Sequence, residues 1–165
     1  MRVALYPGSF DPITRGHMDI IERGLSIFDR VEVAVAVNVN KKPFFSDAER
    51  IAMLEELYAD EPRVGVVQLS GLLVHFAQKH KFKTVLRGLR AVSDFEYEFQ
   101  MASMNRRLTE DVDFVFLMTS EEHFFVSSSL VREVAINGGD ISQFVPQIVV
   151  DRFTERLGTP SNGQI

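Results

Sequence analysis

The chain has no cysteine among its 165 residues. This absence excludes disulfide bonds and thiolate metal ligands of the kind found in structural zinc sites. No apolar run approaches the roughly 18 residues that a membrane-spanning helix requires. The N-terminus has no signal-peptide pattern either, because Arg2 is followed by only a short apolar segment before Pro7. We therefore expect a cytoplasmic protein.

An excess of basic residues is also missing, since the formal net charge is −5 and the isoelectric point is about 5.4. Proteins that bind nucleic acids usually carry a basic face and have a high isoelectric point, so these values argue against a large polyanionic partner. They remain compatible with a small anionic ligand held by a few local cations. The content of 45% apolar and 25% charged residues is ordinary for a globular protein, and the length predicts a single domain, 1–165.

Short apolar segments alternate with amphipathic segments along the chain. The predicted strands are residues 2–6, 31–37, 64–69, 84–87 and 113–118, and the predicted helices are 17–28, 47–59, 72–80, 94–107, 128–137 and 146–157. Ser46 and Ser93 each precede a glutamate by three positions, which fits a capping box at two helix starts. The alternation predicts a doubly wound α/β fold with a mainly parallel five-stranded sheet and helices on both faces. The polar segment 158–165 is expected to be a disordered tail.

In such a sheet, ligands bind beyond the carboxyl ends of the strands. Residues 7–12 follow the first predicted strand as a turn, and a helix begins soon afterwards near His17. A helix N-terminus presents free N–H groups and a positive dipole end to an anion, and Gly8 and Gly16 allow close approach of the backbone. His17 can reach a bound phosphate, although it could also be a histidine at a helix start that is only bonded to a turn. This loop indicates that the chain handles a nucleotide.

Three later loops carry further candidate groups. Lys41 and Lys42 follow the second strand, Arg87 and Arg90 end the fourth, and the serines 127–129 precede a helix. The planar guanidinium of arginine suits bidentate contact with phosphate, and a serine run before a helix offers hydroxyl and N–H donors. Each group also has a simpler explanation. The lysines could be solvated, the arginines could pair with nearby carboxylates, and the serines could form an ordinary N-cap.

The residues of these loops resemble those of a known family. Residues 6–17 read Y-P-G-S-F-D-P-I-T-x-G-H, which contains the T-x-G-H signature of the nucleotidyltransferase superfamily and resembles phosphopantetheine adenylyltransferases. Residues 87–98, R-G-L-R-x-x-x-D-F-E-Y-E, are similar to a second string of that family. Residues 126–132 match the superfamily motif I-S-S-[ST]-x-x-[RK], with valine for isoleucine. The resemblance implies a Rossmann-like nucleotidyltransferase fold and reversible transfer of the adenylyl group of ATP to 4′-phosphopantetheine.

The resemblance also implies roles for single residues. The implied catalytic residues are His17, Lys41 and Arg90. The implied ATP-binding residues are Ser9, Phe10, His17, Gly88, Leu89, Arg90, Glu98, His123, Phe124, Phe125, Val126, Ser127, Ser128 and Ser129. The implied acceptor-binding residues are Ser9, Lys41, Leu73 and Arg87, and Lys42 is expected to be exposed. Phe124 stands where the family has serine, and His123 replaces an aromatic residue.

The family resemblance further implies Mg²⁺ that arrives with ATP, no metal ligands from the protein, dephospho-CoA as a product, CoA as an inhibitor and a homohexamer. An ionised phosphate as the attacking group would need no activated serine or cysteine, and the sequence shows no catalytic triad. Two alternatives stay open. One is another small-molecule nucleotidyltransferase, such as a nicotinamide-mononucleotide adenylyltransferase or a cytidylyltransferase. The other is a non-catalytic module that senses a nucleotide.

Overall fold

The computed structural model describes residues 1–37 and 42–158, and within these ranges β-strands alternate with α-helices. The strands are β1 (Val3–Gly8), β2 (Arg30–Ala36), β3 (Val64–Leu69), β4 (Thr84–Leu89) and β5 (Asp113–Met118). The helices are α1 (Arg15–Ile27), α2 (Asp47–Leu57), α3 (Leu73–Lys79), α4 (Val92–Leu108), α5 (Ser128–Ile136) and α6 (Gln147–Leu157). None of the helices in these ranges combines the length and the apolar character needed to cross a membrane. Lys41 and most of the predicted tail, 159–165, lie outside the described residues.

The five strands form one sheet in the order β3-β2-β1-β4-β5, and every neighbouring pair is parallel. The predicted doubly wound fold is confirmed. Chain order runs outward from β1 through β2 to β3, and then resumes on the other side of β1 with β4. The gap between the carboxyl ends of β1 and β4 is therefore the point at which the winding reverses, where sheets of this kind bind their ligands.

Apolar side chains cover both faces of the sheet because neighbouring residues of a strand point to opposite faces. Tyr6 and Leu86 belong to a large core cluster together with residues of α1, α2, α5 and α6. Leu5 and Val85, their neighbours in the strands, belong to a smaller cluster completed by α3. Among the described residues, α4 contributes no side chain to either cluster.

Two predicted boundaries near the ligand edge are wrong. β1 continues through Pro7 and Gly8, which were expected to form a turn, and β4 continues to Leu89. Pro7 has no backbone N–H to donate within a sheet. Pairing of β1 with β4 ends at Leu5, whereas pairing with β2 continues to Gly8, so no hydrogen bond to β4 is lost at Pro7. The Pro7 carbonyl on that side accepts a hydrogen bond from Arg87 Nη1 at 2.8 Å.

The capping box at the start of α2 is confirmed, but the one predicted at Ser93 is wrong. Ser46 N donates to Glu49 Oε2 at 2.7 Å, and Glu49 N donates to Ser46 Oγ at 3.3 Å. Helix α4 instead begins at Val92 with Ala91 as its N-cap and without a side-chain cap. The Asp94 carboxylate turns to the preceding loop, where it accepts the Arg90 N–H at 3.1 Å. Arg90 lies four positions before Asp94, and its pairing with a nearby carboxylate is the simpler explanation given above for this arginine.

Candidate active site

A cavity of about 510 Å³ opens at the carboxyl ends of β1 and β4. It is bounded by the first turn of α1, the start of α4 and the serine loop that precedes α5. The predicted site residues that line it are Ser9, Phe10, His17, Arg87, Gly88, Arg90, Glu98, Val126, Ser127, Ser128 and Ser129. Three separate sequence segments therefore meet in one place. Lys42, which was expected to be an exposed residue, is exposed and also lines this cavity.

Five predicted site residues do not line the cavity. Leu89 is buried at the end of β4, and Leu73 packs against the smaller apolar cluster from the start of α3. Phe124 and Phe125 are half-exposed and contact each other edge to face, with ring centroids 5.6 Å apart. His123 lies beside Gly16, where its Cβ would be 3.6 Å from an added Cβ atom. The structure thus brings the serine part of this loop into the cavity, but not the aromatic part.

His17 is held in one orientation by the residue that caps its own helix. Its Nδ1 accepts the Thr14 backbone N–H at 3.0 Å and lies 3.0 Å from the Thr14 hydroxyl, while its backbone N–H donates to that hydroxyl at 3.4 Å. A nitrogen that accepts a backbone N–H carries no proton, so a neutral His17 has its proton on Nε2. His17 therefore caps the helix through one nitrogen and keeps the other as a donor for a ligand.

The surroundings of His17 keep the ring neutral. Burial lowers its pKa to about 4, and the positive charges of Arg90 and Arg87 act in the same direction. Phe10 supports the ring from the side, with centroids 5.1 Å apart in an edge-to-face arrangement. At physiological pH the site therefore presents a fixed N–H donor, in contrast to an imidazolium or a base that titrates near neutrality.

Phe10 itself adopts an uncommon backbone conformation, with φ of 47°. Only 1% of the residue is exposed, and its ring also contacts Tyr6 edge to face at 5.5 Å. A Cβ atom at Gly8 would come within 2.9 Å of this ring, so glycine is required there by packing. A strained residue that is fixed by its neighbours is typical of functional sites. Here the Phe10 ring packs against His17, whose tautomer is fixed by the Thr14 N–H.

Arg87 forms a bidentate ion pair with Glu98 of α4. Its Nε donates to Glu98 Oε2 at 2.8 Å, and its Nη2 donates to the other carboxylate oxygen. The third nitrogen donates to the Pro7 carbonyl, as described above. Arg87 and Glu98 were expected to contact the acceptor and ATP respectively. In the structure they contact each other in the wall of the cavity. The pair fixes the arginine while leaving further N–H groups of its fork for an anion.

Arg90, three residues after Arg87, forms a similar ion pair with Asp94. Its Nε and Nη2 donate to the two oxygens of Asp94 at 2.9 and 3.2 Å, and its Nη1 approaches the Val126 carbonyl at 3.4 Å. Partial burial opposes ionisation of Asp94, but the hydrogen bonds from Arg90 prevail and lower its pKa. Arg90 thus links the loop after β4 to the serine loop.

The serine loop has structural partners as well as groups for a ligand. Ser127 is the N-cap of α5 and its Oγ accepts the Leu130 N–H at 3.2 Å. Ser128 Oγ donates to the Pro12 carbonyl at 2.8 Å, and Ser129 Oγ accepts from Arg132 Nη2 at 3.2 Å. The backbone N–H groups of the first helical turn have no acceptor inside the helix. Apart from the Leu130 N–H, these N–H groups and the positive end of the α5 dipole are suited to hold an anion in the cavity.

Asp11 is a buried residue of the cavity that sequence reasoning missed. Its two carboxylate oxygens accept the backbone N–H groups of Phe44 and Phe45, each at 2.8 Å, and Arg132 Nη1 lies 3.5 Å from Oδ2. Phe153 of α6 packs on both phenylalanines, with ring centroids 4.8 and 5.0 Å away. The loop after β1 is thereby tied to the segment before α2 and, through it, to α6.

Arg50, Thr119 and Arg132 also line the cavity, and Arg50 is almost fully buried. Arg132 belonged to a recognised motif but was given no separate role. Arg50 did leave a signal, because it occupies a position three and four residues before the buried Met53 and Leu54. A charged residue at an apolar helical position indicates either a buried ion pair or a functional contact.

Comparison with known proteins shows which families the chain matches. The cytidylyltransferase-like family is matched over residues 5–134. A phosphopantetheine adenylyltransferase of Thiobacillus denitrificans is 53% identical over 157 residues, which cover 95% of this chain and 98% of the relative. A phosphopantetheine adenylyltransferase of Heliobacterium modesticaldum is 51% identical over 164 residues, which cover 99% of this chain and 98% of the relative.

Solved structures support the fold. A protein of Vibrio parahaemolyticus, provisionally named a nicotinate-nucleotide adenylyltransferase, matches with a TM-score of 0.67 over 99% of this chain and 98% of its own, at 19% identity. A lipopolysaccharide core biosynthesis protein of Thermoplasma volcanium matches with a TM-score of 0.56 over 73% of this chain and 99% of its own, at 21% identity. At these identities the likeness is one of fold alone.

Proposed function

The chain belongs to the phosphopantetheine adenylyltransferase family, and we propose which of its residues perform the family's reaction in coenzyme A biosynthesis. The enzyme transfers the AMP moiety of ATP to 4′-phosphopantetheine. A phosphate oxygen of the acceptor forms a bond to the α-phosphorus of ATP, and the bond from that phosphorus to the bridging oxygen breaks. The products are dephospho-CoA and pyrophosphate.

The geometry of His17 is the observation that carries the assignment of roles. The attacking phosphate is already ionised near neutral pH, so the reaction needs fixed donors more than it needs a base. With Nδ1 occupied by the Thr14 N–H, His17 offers its Nε2 proton to an oxygen of the α-phosphate. Because its pKa is lowered to about 4, His17 is neutral at physiological pH and still carries the Nε2 proton.

The arginines and the helix termini hold the two anions in line. We assign Arg90 and the N–H groups at the start of α5 to the phosphates of ATP, and Arg87 with Ser9 to the phosphate of the acceptor. Lys41 stays a prediction as a third cation, and Lys42 next to it lines the cavity. Positioning of two reactants in this way can supply several kcal/mol of the barrier reduction.

Mg²⁺ is proposed to enter with ATP and to be held by phosphate oxygens and water. The cavity carboxylates support this division of labour because each is already engaged. Asp11 accepts two backbone N–H groups, Asp94 pairs with Arg90, and Glu98 pairs with Arg87. In the described parts of the chain no three histidine, aspartate or glutamate side chains come together as a metal-binding group.

The reaction and its acceptor can be tested with one substrate pair. With Mg²⁺, ATP and 4′-phosphopantetheine, the enzyme is expected to release pyrophosphate from ATP and to form dephospho-CoA. Pantetheine should give neither product because it lacks the phosphate that acts as the nucleophile. Nicotinamide mononucleotide and CTP serve as the alternative acceptor and donor. Equal turnover of pantetheine and its phosphate, or preferred turnover of an alternative, would refute the proposed reaction.

The pH dependence of turnover should follow the acceptor and not a protein base. The second ionisation of a phosphate monoester lies near pH 6, so saturated turnover is expected to rise from acid and to flatten between about pH 7 and 9. His17 titrates well below this range and should leave no inflection in it. The profile is measured in single-turnover runs with saturating substrates. A bell centred near pH 7 that one carboxylate or histidine substitution abolishes would reveal a general base.

We further propose that the enzyme is a cytoplasmic homohexamer and that CoA, which shares the pantetheine chain of the acceptor, inhibits it. The outer surface of α4 supports self-association. Tyr97, Met104 and Leu108 are spaced so that they lie on one side of this helix, and they are 61%, 64% and 52% exposed. Exposed clusters of large apolar side chains are typical of protein interfaces.

Met104→Glu is expected to shift the protein to smaller species, because a carboxylate would be buried without a partner in an α4 interface. Analytical ultracentrifugation gives the mass of wild type and variant. Glu110→Gln, beyond the end of α4, is the control and should leave the mass unchanged. A wild-type monomer, or a variant with unchanged mass, would contradict assembly through this surface.

A further inference from the structure

Arg50 is a buried cation at the wall of the active site. Its side chain is 2% exposed, and it lies on the face of α2 that carries Met53 and Leu54 into the core. Burial of a guanidinium costs several kcal/mol unless its N–H groups are paired, and an apolar side chain of similar volume is often at least as stable. Stability alone therefore does not account for arginine at this position.

The contacts of Arg50 connect the ends of two adjacent strands. Its Nη1 donates to the carbonyl of Ser9, directly after β1, and to the carbonyl of Ala36, the last residue of β2, at 3.2 Å. Its Nη2 donates to Asp47, in the first turn of α2. Its Nε is buried and has no partner in the part of the chain that the structure describes. A buried donor without a partner lowers stability, so hydrogen bonding alone does not explain why an arginine occupies this position.

The Ser9 carbonyl is a consequential acceptor because Ser9 is exposed in the cavity and is followed by the strained Phe10. The peptide between Ser9 and Phe10 is planar, so a fixed carbonyl also fixes the direction of the Phe10 N–H. The side chain of Ser9 is attached to the same fixed unit. Arg50 itself does not need to reach the ligand to influence what Ser9 presents to it.

We propose that Arg50 is a positioning residue that sets Ser9 for recognition of the acceptor's terminal phosphate. This inference rests on the proposed function and deepens it. Arg50 acts through the Ser9 carbonyl and uses Ala36 and Asp47 as the fixed base of the clamp. Lysine cannot substitute for it, since a single ammonium group cannot reproduce a planar fork that reaches two carbonyls and a carboxylate.

The test compares Arg50→Met, Arg50→Lys, Ser9→Ala and the double variant Arg50→Met/Ser9→Ala. Wild type is first shown to convert 4′-phosphopantetheine, so that a failure of the proposed reaction is recognised before any variant is judged. Arg50→Met is expected to raise the KM for 4′-phosphopantetheine about 10- to 100-fold, the effect of one lost hydrogen bond to a charged group. The inhibition constant of pantetheine, which lacks the phosphate, should change less than threefold.

The double variant shows whether Arg50 acts through Ser9. If it does, Arg50→Met/Ser9→Ala has the same KM as Arg50→Met, because a misplaced hydroxyl contributes nothing further. Arg63→Met, an exposed arginine paired with Glu61, is the matched control and should match wild type. Should Arg50→Met fail to fold, Arg50→Lys carries the same comparison. Additive effects of the two substitutions, or equal losses for pantetheine and its phosphate, would overturn the proposal.

Discussion

His17→Ala is expected to lower kcat about 10²- to 10³-fold, the usual loss when one preorganised donor to a transition state is removed. The KM for ATP should change much less, because Arg90 and the N–H groups of the serine loop remain. The expectation depends on the fixed tautomer, in which Thr14 occupies Nδ1 and the proton sits on Nε2. Steady-state and single-turnover kinetics of the purified variant measure the effect on the chemical step.

Alanine also removes the Nδ1 acceptor of the capping box, although Thr14 still caps the helix through its hydroxyl, and His17→Asn separates the two roles. The Asn oxygen can accept the Thr14 N–H as Nδ1 does, but the shorter side chain has no group at the position of Nε2. Loss of this reciprocal hydrogen bond should cost the alanine variant about 0.5–1.5 kcal/mol of unfolding free energy, while the asparagine variant stays closer to wild type. Both should be equally slow. His75→Ala, on the exposed side of α3, is the control.

If His17→Asn turned over within threefold of wild type, the Nε2 proton would have no part in catalysis. If instead the loss of rate followed the loss of stability across the variants, His17 would be a helix cap only. Urea denaturation of each variant therefore accompanies its kinetics, and the two measurements distinguish these outcomes.

The architecture was predictable because it depends on short-range patterns. Apolar runs of strand length alternate with helical periodicity, and a parallel sheet follows from that alternation. At β1 a distant segment decides the local structure, because Pro7 and Gly8 continue the strand by pairing with Ala34 and Val35 of β2. At α4 the competition is local, because the Asp94 carboxylate accepts the backbone N–H of Arg90, four positions earlier.

The same reason explains which site residues were found. Residues carried by contiguous motifs, such as His17 and Arg90, were found and line the cavity. Arg50 and Asp11 were missed because their partners lie 41 and 33 positions away in the chain. Spacing along the sequence carries no trace of such pairs. An arginine at an apolar helical position is the one local sign that could have suggested Arg50.

Arg87 and Arg90 are each paired with a carboxylate in the cavity wall, so their substitution also leaves that carboxylate without its partner. The Arg90–Asp94 pair holds the fork at the entrance of the serine loop, so removal of the arginine would leave an unpaired carboxylate beside the phosphates of ATP. Like charges near a binding site for anions weaken it further. Substitution of Arg90 should therefore have a larger effect than the loss of its own contacts, and Asp94→Asn should restore part of the loss in Arg90→Ala.

Arg90→Ala is expected to lower kcat/KM for ATP by at least about 10²-fold, since it removes a charged donor from a site where charge develops. It should also raise the pKa of His17. Burial is the main cause of the low value of about 4, and the positive charge of Arg90 is the next. Without that charge the value moves toward the usual 6.5 but stays below it, because burial remains.

Arg90→Lys separates the two effects, because it keeps the charge but loses the bidentate fork. The lysine variant should be slow while its His17 titrates near the wild-type value, whereas the alanine variant should be slow with a raised pKa. The ring proton shifts of His17, followed by NMR from pH 3.5 to 7.5, measure the titration, and Arg106→Ala on the exposed end of α4 is the control.

The stability of the wild type should follow from the same titration. The unfolded chain binds a proton at His17 below about pH 6.5, whereas the folded protein does not until about pH 4. The contribution of His17 to folding stability therefore falls as the pH drops through this interval, and the interval should be narrower in Arg90→Ala.

Two results would contradict the roles given to Arg90. An unchanged His17 pKa in the alanine variant would show that Arg90 does not act on the histidine. Full activity in the lysine variant would show that the planar fork of Arg90 is not needed for the phosphates.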